Sequence, residues 1–412
     1  MSRPDEWIDQ LCRENIRQFL IDHVNEDSHS LSLRFREIDG IPFPVIASQL
    51  RARQKAKEKL PLWFASECIV YPPLANLEQS SSELTAKYKA EIFSGNVLVD
   101  LTGGTGVDTF FLSPGFDKVI YVEEQPFLCR LAEHNFNCLK KNIEVICVRS
   151  EDFLKTLNRD PAEVSLYIDP SRRDDKAKKV FLLSDCSPDM VDLLPTITSS
   201  SRKCLVKLSP MLDVKQTMLD LAPYVSAIHI VAVDNEVKEL LILIAGSEEH
   251  SSEKPLIHAI NVSAKKEQQV FRFTEDEERS AQCQFGSHGK FLYEPNAAIM
   301  KGGAFTLVAD RYDLLKAAPN THLYFSDTLV PEFPGRIFAV DELTGYNPKI
   351  IKKAYSGSKA NVSVRNFPED VRKIRKRTGL KDGGNLYLFF FTGDDGSLLL
   401  AKCRKFSKPT PS

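Results

Sequence analysis

The chain has 412 residues, 42% of them apolar and 27% charged, which suits a soluble globular protein of two to four domains. It contains no run of 18 apolar residues and its polar start lacks an apolar signal core, so neither a membrane span nor a secretory signal is expected. Nine cysteines without a Cys-x-x-Cys pair speak against a metal site and for a reducing cytoplasmic setting. The net charge of −2 is unevenly spread. Residues 347–408 hold 15 Lys/Arg against 5 Asp/Glu, a balance of +10, which leaves 39 against 51 elsewhere, a balance of −12. That pattern describes a basic module on an acidic body.

In chain order, residues 1–93 are expected to be mainly helical. Ile16, Phe19, Leu20 and His23 recur at helical spacing, as do Ile46, Ala47 and Leu50. The charged stretch 49–59 is read as a solvated helix face. Ser80 and Glu83 have capping-box spacing, and the helix they would open runs through Tyr88 and Ile92.

The most informative segment follows. A short apolar run from Val97 ends in Asp100, and Thr102, Gly103, Gly104, Thr105 and Gly106 come directly after it. A buried strand hands over to a helix in this way in a doubly wound α/β sheet, and glycines there let the backbone approach a ligand. Two ligand classes use such a turn, dinucleotides and S-adenosylmethionine. A pyrophosphate fingerprint needs a third glycine, where this chain has Thr109, and Asp108 at the helix start would repel a pyrophosphate. It would not repel a sulfonium, so the methyl donor is favoured. Glu123, at the tip of the second strand, is placed for the two hydroxyls of a ribose.

The run from Asp100 to Gly106 resembles motif I of class I S-adenosylmethionine-dependent methyltransferases, in the variant of RNA methyltransferases that carry THUMP-type modules. Segments 206–213, 235–240, 293–298 and 361–368 resemble a bacterial family of THUMP-like-domain methyltransferases. The likeness spans about residues 60–405. It implies S-adenosylmethionine as cofactor, and a lid over the donor that includes Gln79 and Ser80, which plain helix capping would also explain.

Strands are expected near 97–101, 119–122, 143–148, 165–169, 203–208, 227–233 and 240–245, the first five parallel and the last two joined by a hairpin. The fold class is therefore α/β: a Rossmann-like, seven-stranded methyltransferase sheet over 94–248, behind the helical segment 1–93. A polar linker leads to a small α+β module at 255–329, which the resemblance makes ferredoxin-like. A basic α+β module at 331–408, THUMP-like by the same resemblance, completes the chain.

Asp152, after the third strand, sits where this fold contacts the adenine amino group, although Asp is also a common helix cap. Asp169, Pro170, Ser171 and Arg172 end the fourth strand, at the edge where such sheets bind ligands. Amino-directed relatives have an aromatic residue where this chain has Arg172, which can stack on a base, clamp phosphate or pair with a nearby Asp. A cysteine nucleophile is not expected, since the fourth and fifth strands end without one and Cys204 should point into the sheet. Lys207, Ser209 and Glu236 are candidates for the acceptor wall, or plain strand-end residues. Arg365 and Asn366, then Arg372, Lys373, Arg375, Lys376 and Arg377, form a basic face suited to RNA phosphate.

These readings describe a methyltransferase acting on a base nitrogen of structured RNA, ribosomal or transfer. A methyltransferase of proteins or small molecules, and a non-catalytic RNA-binding protein that keeps the fold, stay open.

Overall fold

The computed structural model describes residues 7–172, 183, 186–246 and 254–406. The chain forms two compact units, 1–228 with 238–253, and 229–237 with 254–412. None of the described helices is long and apolar enough to cross a membrane.

The first unit is built on β1 (Gly95–Asp100), β2 (Phe116–Glu123), β3 (Glu144–Cys147), β4 (Val164–Ile168), β5 (Lys203–Leu208), β6 (Val225–Val233) and β7 (Glu236–Ala245). Their order is β6-β7-β5-β4-β1-β2-β3. The pairs β1/β2, β1/β4, β2/β3 and β4/β5 are parallel, and β7 runs antiparallel to β5 with Leu240 opposite Leu208. β6 and β7 leave this unit after residue 228 and return at 238. All five residues of β4 are buried, which explains a nearly continuous apolar run rather than an alternating one. The strand order reverses between β1 and β4, so a crevice opens beyond their carboxyl ends.

Helices precede this sheet in the chain. Ile16, Leu20, Leu31, Phe43, Ile46 and Leu50 pack into one core with Leu128 and Leu131 of helix Pro126–Cys138. The stretch 49–59 departs from the solvated face read from its charges. It lies in helix Phe43–Lys59, where Gln49 and Arg53 are buried. The Gln49 amide brackets the Tyr71 backbone, donating to its carbonyl at 2.8 Å and accepting its N–H at 2.9 Å. Arg53 donates to the Phe64 carbonyl at 3.2 Å. Polar side chains here satisfy buried loop backbone, a demand the local sequence does not show.

The capping box is also displaced. The N-cap of helix Glu83–Ile92 is Ser82, which accepts from Thr85 N–H, whereas Ser80 ends helix Leu74–Gln79 and donates to the Leu77 carbonyl at 2.8 Å. Glu83 instead accepts the Leu62 N–H at 2.8 Å.

The second unit contains β8 (Leu256–Val262), β9 (Gln269–Phe273), β10 (Phe291–Pro295), β11 (Leu315–Ala318), β12 (Thr321–Ser326), β13 (Gly335–Gly345), β14 (Lys359–Arg365), β15 (Lys381–Thr392) and β16 (Leu398–Lys405). β8 and β9 pair antiparallel. The other seven form one sheet, β11-β12-β10-β13-β16-β15-β14, antiparallel except for β14 beside β15. β13 joins both halves of it, so the strands on either side of residue 330 share a sheet. Helix Pro348–Tyr355, which the sequence pattern does not separate out, packs beside helix Val371–Thr378.

Candidate active site

The crevice beyond β1 and β4 has a volume of about 520 Å³. Gln79, Ser80, Asp100, Thr102, Gly103, Gly104, Thr105, Asp108, Glu123, Asp169 and Ser171 all line it, as do Ser81, Glu151 and Tyr167. Residues far apart in sequence thus meet at one strand-end edge.

The Gly-rich turn is shaped by packing more than by ligand approach. A Cβ on Gly103 would lie 2.1 Å from the Tyr121 ring, and one on Gly106 would lie 2.8 Å from Phe136. A Cβ on Gly104, whose φ is +54°, would meet only the Thr102 carbonyl, at 3.6 Å. The Tyr121 hydroxyl donates to the Gly104 carbonyl at 2.7 Å. The turn is further pinned by Asp100, which accepts from Thr102 N–H at 3.0 Å and from the Thr109 hydroxyl at 2.5 Å. Thr109, fully buried, therefore has a positive task beyond not being glycine. Burial pushes the Asp100 carboxyl up to about 7, against the pull of those two hydrogen bonds.

Glu123 is buried at the end of β2 and accepts one N–H on each oxygen, from Gly104 and Gln125, both at 2.9 Å. Burial raises its carboxyl, and the two amides offset part of that rise. Each carboxylate oxygen keeps lone-pair capacity, so ribose hydroxyls can still be accepted there. A crevice of this volume, rich in polar groups and ending in such a carboxylate, fits an adenosyl ligand. Replacing Glu123 with Ala should cost roughly 1–3 kcal/mol of donor binding. Calorimetry checks this; affinity equal to wild type would remove the ribose role.

Asp169 sits just past β4 and also lines the crevice. Its backbone N–H donates to Thr102 Oγ1 at 2.6 Å, and its Oδ2 takes Lys207 Nζ at 2.5 Å. Burial would depress Lys207, yet Asp169, Asp108 and Glu239 around it raise its pKa, so it stays charged. Asp108 accepts from the Ser81 and Tyr167 hydroxyls, both at 2.7 Å, and lies 3.2 Å from Lys89 Nζ. Burial alone would raise Asp108, but Lys89 and Lys207 hold it below the usual carboxylate range. Lys89, fully buried, completes the network with two bonds to Glu239 at 2.7 and 2.9 Å.

Several expectations change in this light. Asp152 is exposed and pairs with Lys155 at 2.9 Å, while its neighbour Glu151 lines the crevice, because the helix starts at Ser150 and turns residue 152 outward. Glu236 is exposed and Ser209 binds the Met211 N–H at 3.3 Å; neither lines the crevice. Glu239, three residues further along β7 and buried, is the acid that meets the lysines. Pro170 and Gly106 lie beside the crevice without lining it. The Arg172 side chain, with the acids at 174 and 175, lies outside the described residues. Cys204 is fully buried in β5.

Lys89, Ser81 and Tyr167 carry no motif that marks them in the sequence. A lysine amid the apolar face of helix Glu83–Ile92 is the available signal for Lys89. Lys59 is a further departure: it donates to the Glu78 carbonyl at 2.6 Å, and burial together with Lys207 lowers it to about 8.

The expected RNA face is also redistributed. Arg365 joins Arg336 in clamping Glu294, which is buried on β10. Arg375 pairs with Asp382, and Arg377 with Glu369. Asn366 adopts φ +48° and bonds Thr321, so it holds the turn after β14. Arg372, Lys373 and Lys376 stay exposed without an ion-pair partner among the described residues, and exposed Lys349, Lys352 and Lys353 stand on the adjacent helix.

Family models match two segments of the second unit: a ferredoxin-like domain at residues 291–334 and a THUMP domain-like model at 335–405. The chain is 30% identical to a candidate methyltransferase from Porphyromonas gingivalis W83 whose crystal structure is known. That match covers 99% of this chain and 100% of the other, with a TM-score of 0.85. Uncharacterized S-adenosylmethionine-dependent methyltransferases from two strains of Mycobacterium tuberculosis, CDC 1551 and H37Rv, are each 24% identical over 371 residues, covering 89% of this chain and 97% of theirs. With the strand order, the motif I turn and a full-length relative in agreement, the chain belongs to the class I S-adenosylmethionine-dependent methyltransferases that end in a THUMP-like domain.

Proposed function

We propose that the protein methylates a base nitrogen of a structured RNA, ribosomal or transfer, in the cytosol, with S-adenosylmethionine as donor. The observation that carries the reading is Asp169 at the rim of the donor crevice, held by Lys207 on one oxygen only. The other oxygen has no partner among the described residues and can accept an exocyclic N–H. The donor supplies an electrophilic methyl group on sulfur. Glu123 and the turn amides fix its position, and Asp169 orients the acceptor nitrogen, so the rate gain comes chiefly from alignment. Among the described residues no thiol lines the crevice, which favours direct transfer to nitrogen over a covalent route to carbon.

The basic face of the second unit supports RNA as substrate. Its exposed cations without an ion pair, among the described residues, include Arg372, Lys373 and Lys376, with Lys349, Lys352 and Lys353 beside them. Replacing Arg372, Lys373 and Lys376 with Ala should lower the slope of log affinity against log salt by about 0.7–0.9 for each phosphate that is no longer neutralised. Donor affinity should be unchanged. An unaltered salt slope would make this helix a solvated surface. Mass spectrometry of nucleosides from a deletion strain tests the substrate: one methylated base should vanish from ribosomal or transfer RNA, and an unchanged nucleoside profile would count against the reading.

A further inference from the structure

A second groove lies among the helices that precede the sheet. It has a volume of about 410 Å³ and runs between helix Ser28–Arg34 and helix Phe43–Lys59. His29, Arg36 and Arg51 line it together with Phe43 and Pro44, and no Asp or Glu among the described residues does. This is unexpected in a body whose charge balance outside residues 347–408 is −12.

Glu37, next to Arg36 in the chain, does not line the groove, and three other nearby acids are engaged elsewhere. Glu26 pairs with Arg34 at 3.2 Å, Asp27 accepts from Ser30 at 2.8 and 2.9 Å, and Asp39 pairs with Arg13 at 3.1 Å. Arg36 and Arg51 have no carboxylate partner among the described residues, and both are exposed. Two guanidiniums without counter-charge on one groove suit an anion, and their planar forks suit phosphate oxygens. Half-buried Phe35 and exposed Pro44 add an apolar surface that a bare anion would not use but a base or ribose would.

We infer that this groove is a second ligand site, separate from the donor crevice, that binds a phosphate-bearing nucleotide through Arg36 and Arg51. Its volume lies in the range of small-ligand sites. The nucleotide is either a unit of an RNA strand or a free mononucleotide, and the site stands whether or not RNA is the methyl acceptor.

The test uses the full chain carrying Arg372→Ala, Lys373→Ala and Lys376→Ala, which silences the basic helix of the second unit. A fluorescein-labelled oligouridylate should still bind this variant, and unlabelled UMP should compete while equimolar inorganic phosphate should not. Adding Arg36→Ala and Arg51→Ala should weaken binding about tenfold or more and lower the salt slope by about 0.7 for each single-strand phosphate no longer neutralised. Arg51→Glu alone should weaken it at least as much as Arg51→Ala. Donor binding by calorimetry should stay at the wild-type value, which reports an intact fold. Oligouridylate binding much tighter than UMP assigns the site to an RNA strand; equal affinity assigns it to a free nucleotide. Failure of both ligands to bind the background variant, or unchanged affinity and slope on removing the two arginines, overturns the inference. Absence of methyl transfer to RNA by the wild type would refute the proposed substrate without touching this site.

Discussion

Asp169→Ala is expected to reduce methyl transfer by about a hundredfold or more while leaving donor affinity within a few-fold. The size follows from what the residue does: misplacing a reacting group by about 1 Å already costs on the order of a hundredfold. The donor should be spared because the contacts proposed for it come from Glu123 and the Gly-rich turn, whose own hydrogen bonds do not involve the Asp169 carboxylate. Lys207 loses its 2.5 Å partner in this variant but keeps Asp108 at 3.8 Å, so the fold should persist. Asp169→Asn separates charge from hydrogen bonding. Its one amide oxygen is taken by the Lys207 ammonium, which leaves an NH2 donor towards the acceptor N–H, so its activity should fall about as far as that of Ala. Single-turnover rates with calorimetry check both variants, and near-normal turnover by Asp169→Ala would move the acceptor site elsewhere.

The largest stability effect is expected at Lys89. Its ammonium is fully buried and bridges Glu239 and Asp108, with the Ser81 hydroxyl at 3.1 Å. Lys89→Met keeps the length of the side chain and removes the charge, which leaves two buried carboxylates short of a partner. Breaking a buried pair from one side costs roughly 3–5 kcal/mol, whereas removing both partners costs far less. Urea denaturation should therefore show a loss of about that size for Lys89→Met, with much of it recovered in the Lys89→Met/Glu239→Gln double variant. A loss below about 1 kcal/mol would mean the network is open to water. Because Ser81 and Asp108 line the crevice, donor affinity should also fall in the single variant.

The sheet is readable in the sequence because its strands are short apolar runs bounded by turn residues, and the order of hairpin and crossovers follows from connection lengths. The donor side is readable for a local reason: Asp100, the glycines and Glu123 form contiguous signals at strand ends. Of the charged network beside it only Asp108, Asp169 and Lys207 are readable, because the other members come from separate elements. Lys89 comes from a helix before β1, Tyr167 from inside β4 and Glu239 from inside β7. Alternation along β7 favours neither Glu236 nor Glu239, and only the pairing with β5 sets which of them meets the lysines.

Charge runs mislead in a related way. Residues 49–59 look solvated, yet Gln49 and Arg53 serve buried backbone. Of the five cations at 372–377, Arg375 and Arg377 are bound to acids that lie seven and eight residues away in sequence. Pairing at such offsets depends on how a loop folds back, which composition does not encode.

Whether RNA is the methyl acceptor can be read from transfer of a labelled methyl group from S-adenosylmethionine. Total RNA from cells lacking the protein would be incubated with purified wild type or Asp169→Ala, and the RNA then digested to nucleosides. Wild type should place label in one N-methylated nucleoside, and the variant should leave only background label. Label confined to protein or small molecules, or equal labelling of RNA by both enzymes, would contradict the proposed function.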